Sequence, residues 1–344
     1  MTMKNSGISI LGIETSCDET AAALVKDGRE VLSNVIASQI DVHKVFGGVV
    51  PEIASRHHLE SINEVVEVAL DDAGLQGKDI DAIAVTKGPG LVGAILIGLA
   101  TAKAIAYTLE KPLIGVHHIF GHICAALIEN TDLEPPFLAL VVSGGHTSLI
   151  DVKTLTGNSE DFVILGSTRD DAVGEAYDKV ARVLGLGYPG GPKIDELAKE
   201  GDPGKAVFKR VMLEEGSLDF SFSGIKTGVL NYVNSRKQTG QPIGEADIAA
   251  GFQEAVIDVL SAKTKLALAL TGRKNLVLAG GVASNSALRK RMKADAEATE
   301  TRLFIPSPIY CTDNAAMIAC AGFYQFEAGK RDDLNLDAHA VLKL

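Results

Sequence analysis

The sequence predicts an α/β protein of two related lobes with a nucleotide cleft between them, and three observations predict it. At 344 residues the chain exceeds what one ordinary core holds. One order of elements (strand, polar bend, strand, strand, helix) occurs twice along it. The first bend of each copy is built from small or polar residues, which expose backbone N–H groups able to line an anion-binding concavity. Hydrophobic residues at 46% and charged residues at 22% make this a globular composition, and 35 glycines imply tight loops where backbone approaches backbone or ligand.

The first copy opens with an apolar strand over Ile8 to Glu14, followed by the bend Thr15-Ser16-Cys17-Asp18-Glu19. Thr20 to Val25 is the second strand, Asp27-Gly28 a hairpin signal, and Val31 to Ser38 the third strand. Apolar residues at i, i+4 spacing predict a helix around Leu59 to Leu70. After Pro135-Pro136 the order returns: strand Phe137 to Val142, bend Ser143-Gly144-Gly145-His146, strand Thr147 to Val152, strand Phe162 to Leu165, and helix Asp171 to Leu184. Further on, Asn275 to Leu278 is a short buried strand that ends in Ala279-Gly280-Gly281 and leads into a helix from about Ser286. Strand, glycine pair and helix let a base or ribose lie against backbone. Asn285 stands where it can cap that helix or bind such a ligand. The pattern loosens between Tyr188 and Asp247, where Tyr188-Pro-Gly-Gly-Pro192 reads as a rigid turn and the stretch as an insertion over the cleft. Asp247 to Leu270 is an amphipathic helix, and a last helix over Asn314 to Phe326 packs back on the first lobe. The expected division is 1–135 plus 314–344 for one lobe and 136–313 for the other, with the insertion at about 188–246.

Four scattered cysteines without a C-x-x-C pair read as reduced thiols, and the start of the chain lacks the pattern of a signal peptide, so a cytoplasmic protein is expected. The most apolar run, Leu91 to Ala102, is too short to span a bilayer, and it reads as a buried helix, with no membrane partner. A net charge of −11 argues against broad nucleic-acid binding. The basic clusters Arg289-Lys290-Arg291 with Lys293, and Lys205 with Lys209 and Arg210, read as solvated helix faces.

His118 and His122 fall four residues apart in a segment that is expected to be helical, which places them on one face, about 6 Å apart at Cβ. Two imidazoles can share an ion but need a third ligand. Asp313, just before the last helix, is the best candidate; the alternative is that it caps that helix. A metalloprotease needs Glu directly after the first His, and here that position holds Ile119.

Taken together, Gly12-Ile-Glu-Thr-Ser-Cys-Asp-Glu-Thr20, Gly47-Gly-Val-Val-Pro-Glu52, Gly88-Pro-Gly-Leu-Val-Gly93, His118-x-x-x-His122 and Val142-Ser-Gly-Gly-His-Thr147 form a recognisable series. It continues with Asp170-Asp-Ala-Val-Gly-Glu-Ala-Tyr-Asp178, Tyr188-Pro-Gly-Gly-Pro192, Asp219-Phe-Ser-Phe-Ser-Gly224 and Cys311-Thr-Asp-Asn314. In this order, along nearly the whole chain, these motifs resemble the tRNA N6-adenosine threonylcarbamoyltransferase family in its bacterial form. The resemblance implies an actin-like ATPase (ASKHA) fold. It also implies transfer of threonylcarbamoyl from threonylcarbamoyl-AMP to N6 of adenosine 37, in tRNAs that read codons beginning with A. It implies one divalent metal, Fe(II) or else Zn(II), on His118, His122 and Asp313, with His117 beside the pair. Substrate contacts carried over are Val142, Ser143, Gly144, Gly145, His146, Asp178, Gly191, Asp195 and Asn285. A smaller paralogous subunit and an ATPase subunit are the implied partners. Asp18, Glu19 and Glu175 are candidates to orient the amine or take its proton. The reading from another class is a nucleotide-driven switch or a kinase on the same fold.

Overall fold

The computed structural model describes residues 7–211, 214–242 and 244–344. Residues 1–6, part of the N-terminal segment read above, lie outside them. The chain divides into two compact units: Met1–Pro135 with Lys153–Phe162 and Ile309–Leu344, and Pro136–Val152 with Val163–Pro308.

In the first unit β1 (Ser9–Glu14), β2 (Glu19–Lys26) and β3 (Glu30–Ser38) form an antiparallel meander. After the short α1 (Ile40–Lys44), helix α2 (Pro51–Ala73) leads to β4 (Ala82–Gly88), α3 (Val92–Leu109), β5 (Leu113–His117) and α4 (His118–Glu129). The sheet order is β3-β2-β1-β4-β5, with β4 parallel to both β1 and β5. β1 is buried along its whole length, as a strand covered on both faces must be. Leu11 and Ile13 join the core formed with Ile62, Val65, Ile95 and Leu99 of α2 and α3.

The second unit repeats the plan. β6 (Phe137–Val142) pairs antiparallel with β7 (Thr147–Val152), which neighbours β8 (Phe162–Ser167). Helices α5 (Val173–Val183), α6 (Gly190–Ala198), α7 (Ser223–Thr239) and α8 (Glu245–Thr271) follow. Then come β9 (Asn275–Ala279), parallel to β6, α9 (Ser286–Ala298), and β10 (Arg302–Phe304), parallel to β9. The order β10-β9-β6-β7-β8 is the first sheet's order over again: the meander's opening strand takes the later, parallel strands on its free side. The doubling expected from the sequence is therefore present in the topology.

The chain returns to the first unit through α10 (Pro308–Cys311) and α11 (Ala315–Glu327). A Cβ placed on Gly12 would lie 2.3 Å from the Ala315 carbonyl oxygen and 2.7 Å from the Ala319 nitrogen. The missing side chain thus lets the first turn of α11 rest on β1, and that contact fixes where Asp313 stands.

Three expectations change. α2 begins at Pro51, eight residues before the predicted start, because its first turns are polar and leave no apolar period; Pro51 at the first helical position marks the start instead. α3 continues past Ala102 to Leu109, since Ala102 and Ala106 keep the buried stripe going. Only the stripe of Ala94, Ile95, Gly98, Leu99, Ala102 and Ala106 is buried, while Leu96 and Tyr107 are exposed, so α3 is half-buried rather than buried. It is also the one helix among the described residues long and apolar enough to cross a membrane; one face packs on β4 and α2. The region from Tyr188 to Asp247 holds α6 and α7, and Tyr188-Pro-Gly-Gly-Pro192 is the entry to α6. α7 buries only Ile225, Val229 and Val233, a stripe too thin to stand out among its polar residues.

Candidate functional site

The first unit brings His118, His122 and Asp313 together. α4 is buried from His118 to Ile128, and the i, i+4 spacing puts both imidazoles on one face, with ring centroids 4.6 Å apart. Asp313 Oδ1 lies 3.2 Å from His122 Nε2 and 3.5 Å from His118 Nε2. One ligand atom from each residue falls within 4.8 Å of the others. The alternative role for Asp313 goes to its neighbour: Asn314 caps α11 by accepting from the Met317 N–H at 3.0 Å.

Glu14, which the sequence reading passed over, completes the cluster. It ends β1, is fully buried, and its Oε2 lies 3.1 Å from His118 Nδ1. Its oxygens also accept from Thr86 Oγ1 at 2.6 Å and from the Ser16 N–H at 2.5 Å. A carboxylate on Nδ1 holds the ring with Nε2 turned toward Asp313 and His122. The signal was a lone acid closing an otherwise apolar strand. Burial pulls His118 down, but the Asp313 and Glu14 carboxylates outweigh it and raise the imidazolium to about 9. In Glu14, burial pushes the carboxyl up, and the adjoining His118 charge and hydrogen bond turn the balance below its ordinary value. Burial holds His122 low.

This donor set fits a divalent cation. Neither ring nitrogen of the fully buried His122 makes a hydrogen bond, although a carboxylate oxygen lies 3.2 Å from Nε2. Leaving a buried polar atom unpaired costs on the order of 1–3 kcal/mol. A cation at Nε2 removes that cost, and two imidazoles with one carboxylate suit Fe(II) or Zn(II).

Asp18 and Glu19 sit on the same hairpin bend as this cluster's Glu14. Asp18 is buried. Burial first, then the negative charges of Asp18 and Asp313, push Glu19 up to about 10, so in the metal-free protein it carries a proton at neutral pH. Glu175 lies elsewhere, on α5 in the second unit, half-exposed and 2.7 Å from Lys179 Nζ.

The second unit gathers the remaining candidates. Ser143 to His146 make a tight bend in which the Ser143 N–H donates to the His146 carbonyl at 2.8 Å and the His146 N–H to Ser143 Oγ at 3.1 Å. The bend follows Val142, whose carbonyl is 2.4 Å from where a Cβ on Gly280 would be, and the Gly174 N–H donates to the Ser143 carbonyl at 3.2 Å. Nothing lies within 4 Å of a Cβ built on Gly144, Gly145, Gly191 or Gly281, so these glycines border open space. Asp178 accepts from the Gly190 N–H at 2.7 Å, beside Gly191. Asp195 accepts from the Ser286 N–H at 2.9 Å and Oγ at 3.0 Å, beside Asn285. Asn285 does cap α9, accepting from the Leu288 N–H at 2.9 Å. Its amide also donates to Gln253 Oε1 at 2.7 Å. Gln253 was missed; the trace it left was a polar residue on a face of α8 that is otherwise apolar.

A family model described as TsaD, tRNA N6-adenosine threonylcarbamoyltransferase, matches residues 30–320. The Clostridium beijerinckii tRNA N6-adenosine threonylcarbamoyltransferase is 56% identical over 335 residues, covering 97% of this chain and 98% of that protein. Among solved structures, component A of the (R)-2-hydroxyglutaryl-CoA dehydratase of Acidaminococcus fermentans is similar with a TM-score of 0.53 at 20% identity, covering 94% of this chain and 100% of that one. HypF of T. kodakarensis is similar with a TM-score of 0.60 at 16% identity, covering 93% of this chain and 48% of that one. At these identities the two structures speak for the fold alone, which is that of the actin-like ATPases.

Proposed function

The chain belongs to the tRNA N6-adenosine threonylcarbamoyltransferase family, and we propose that it uses threonylcarbamoyl-AMP to modify adenosine 37 of tRNAs reading codons that begin with A. Transfer of a threonylcarbamoyl group to N6 of a tRNA adenosine is the family's activity and this chain's. The observation that carries the fuller reading is the convergence of His118 Nε2 and His122 Nε2 on Asp313 Oδ1.

The N6 amine is a poor nucleophile because its lone pair is shared with the ring, so positioning and charge stabilisation supply most of the rate. The bond from N6 to the carbamoyl carbon forms, the bond from that carbon to the phosphate oxygen breaks, AMP leaves, and N6 gives up a proton. In the second unit the backbone of Ser143, Gly144 and Gly145, between Val142 and His146, holds the phosphate. Asp178, Asp195 and Asn285, with the bare backbone of Gly191, hold the ribose and base. Of the three acidic candidates, Glu175 is paired with Lys179, which leaves the bend of Asp18 and Glu19 to take up the proton. In the first unit His118, His122 and Asp313 would hold the divalent metal, and Fe(II) is the ion proposed, two histidines and one carboxylate being a common Fe(II) set that Zn(II) also accepts. When bound, it supplies Lewis acidity. A smaller paralogous subunit and an ATPase subunit assist. The reduced cysteines Cys17, Cys124, Cys311 and Cys320 support a cytoplasmic setting.

The test is depletion of the protein followed by digestion of total tRNA and mass spectrometry. Threonylcarbamoyladenosine should disappear from tRNAs reading A-starting codons and return with the wild-type gene; its persistence would overturn the reading. The role of Glu14 has its own measurement. Glu14→Gln keeps the shape but gives up the charge on His118 Nδ1, and metal affinity by chelator competition should fall about 10- to 100-fold. Unchanged affinity would remove Glu14 from the site.

A further inference from the structure

His117 stands beside the histidine pair, and each of its ring nitrogens has a partner among the described residues. It ends β5 opposite Gly88 and caps α4: the Ile119 N–H donates to its Nδ1 at 3.1 Å. A ring that accepts at Nδ1 carries its proton on Nε2 when neutral, and Nε2 lies 3.2 Å from the Leu342 carbonyl. The two contacts therefore select one tautomer and join the start of the metal-bearing helix to the far end of the chain.

The tail that supplies Leu342 is built onto the same edge of the sheet. The Asp332 N–H donates to the Leu113 carbonyl at 2.8 Å, and the Gly115 N–H donates to Asp332 Oδ2 at 2.7 Å. Leu336 and Ala338 pack on the first unit's core. The His339 N–H donates to the Lys87 carbonyl at 2.9 Å, and Gly90 donates to the Ala340 carbonyl at 3.3 Å. Two glycines make room for this path: a Cβ on Gly115 would lie 2.8 Å from Leu336 Cδ2, and one on Gly88 2.4 Å from the His339 carbonyl oxygen. The next N–H after the Gly90 anchor, that of Leu91, donates to the Ser16 carbonyl at 2.8 Å, so the loop gripped by the tail also reaches the bend that carries Asp18.

We propose that His117 is a positioning residue, through which the tail segment 339–342 locks the first turn of α4 and so keeps His118 in register with His122. A helix end without its cap frays in its first turn, and His118 is the first residue of that turn. The proposal rests on the metal reading of His118, His122 and Asp313, and its test has a part that does not.

Substitutions separate the two bonds. His117→Asn keeps an acceptor near the Nδ1 position, and so the cap, while losing the reach to Leu342. His117→Gln keeps a donor near the Nε2 position but loses the cap, and His117→Phe loses both. The tail is shortened by ending the chain at Ala338. Three readouts apply to the folded proteins: Zn(II) affinity by chelator competition, amide hydrogen exchange over residues 118–122 in the metal-free state, and kcat against KM for tRNA in threonylcarbamoyl transfer. His117→Phe should bind Zn(II) about 10-fold more weakly, exchange faster at 119–122, and lose kcat with KM unchanged. His117→Asn should lose as much affinity as shortening the tail does, since both break the bond to Leu342, and so fall between wild type and His117→Phe; His117→Gln, without the cap, should resemble the Phe variant. Shortening the tail should weaken Zn(II) binding in the wild type and add nothing in His117→Phe, because its effect passes through that ring. Equal affinity in wild type and His117→Phe, or a tail effect of the same size in both, overturns the proposal. If the Phe variant does not fold, the Gln and Asn variants carry the comparison, and equal affinities for those two overturn it. Should wild type take up neither Zn(II) nor Fe(II), the metal reading fails by itself, and the exchange rates still decide the role of His117.

Discussion

Asp313→Asn and His122→Ala are each expected to strip the metal and to lower threonylcarbamoyl transfer by at least about 100-fold, with the fold retained. The argument begins with charge. Asp313 is the carboxylate that both Nε2 atoms face, and it lies alongside Glu19 and Cys17 as well, raising both. Without a metal, a proton on His118 takes the place of the missing positive charge. This has a pH consequence of definite sign. His118 goes from an ordinary 6.5 to about 9 in the folded protein, and its contribution to stability is complete below pH 6.5 and lost as pH rises through about 9. Glu19, raised to about 10, acts in the same direction, because the folded state keeps a proton that the unfolded state releases. Metal-free wild type should therefore be less stable at pH 9 than at pH 6.5. Asp313→Asn should flatten that slope, since it deletes one cause of each shift, and metal should restore stability at the higher pH by replacing the proton. Urea melts in chelator at the two pH values, with metal content and transfer measured on the same samples, check this. A metal-free protein equally stable at both would falsify the electrostatic account; full transfer by either variant would remove the cluster from the chemistry.

How much of this was legible beforehand depended on which physical rule left a mark in the sequence. The two meanders were readable because hairpin turns and apolar strands are local signals, whereas β4, β5 and β10, which extend the two sheets in parallel, went unread. The histidine pair was readable because a helix converts a spacing of four into one face. Asp313 against Asn314 was not decidable locally, since either residue type caps a helix; the close approach of α11 to Gly12 decides which of the two turns toward the histidines. Glu14 and Gln253 left only a faint trace, for a different reason. Each looks like a solvent residue at the edge of an apolar run, and only the tertiary structure buries it against a histidine or an asparagine. The polar start of α2 and the thin stripe of α7 escaped because hydrophobic period is the main helix signal, and neither segment displays it.

Gly280→Ala should destabilise the protein by about 2–4 kcal/mol and raise the KM for threonylcarbamoyl-AMP, while Gly281→Ala should leave stability within about 0.5 kcal/mol. The two positions are adjacent and chemically alike, so the difference isolates geometry. Gly280 holds φ at 91° and ψ at 164°, a region that residues with a Cβ almost never occupy. Its Cβ would also sit 2.4 Å from the Val142 carbonyl oxygen and 2.8 Å from the carbonyl carbon, both of them backbone at the end of β6. Relief requires moving either the Gly280 peptide or the end of β6, and the end of β6 is where the Ser143-Gly144-Gly145 bend begins. Strain introduced at Gly280 is thereby passed to the loop proposed to hold the phosphate. Gly281 has no such φ and nothing within 4 Å of its Cβ, so its methyl enters open space. If that space receives the nucleotide, Gly281→Ala should raise KM without touching the urea midpoint, whereas Gly280→Ala should move both. A Gly281→Ala enzyme with wild-type KM would mean that the nucleotide does not approach this turn, and the second unit's cradle would then have to be sought on the α5–α6 side, around Asp178 and Gly191.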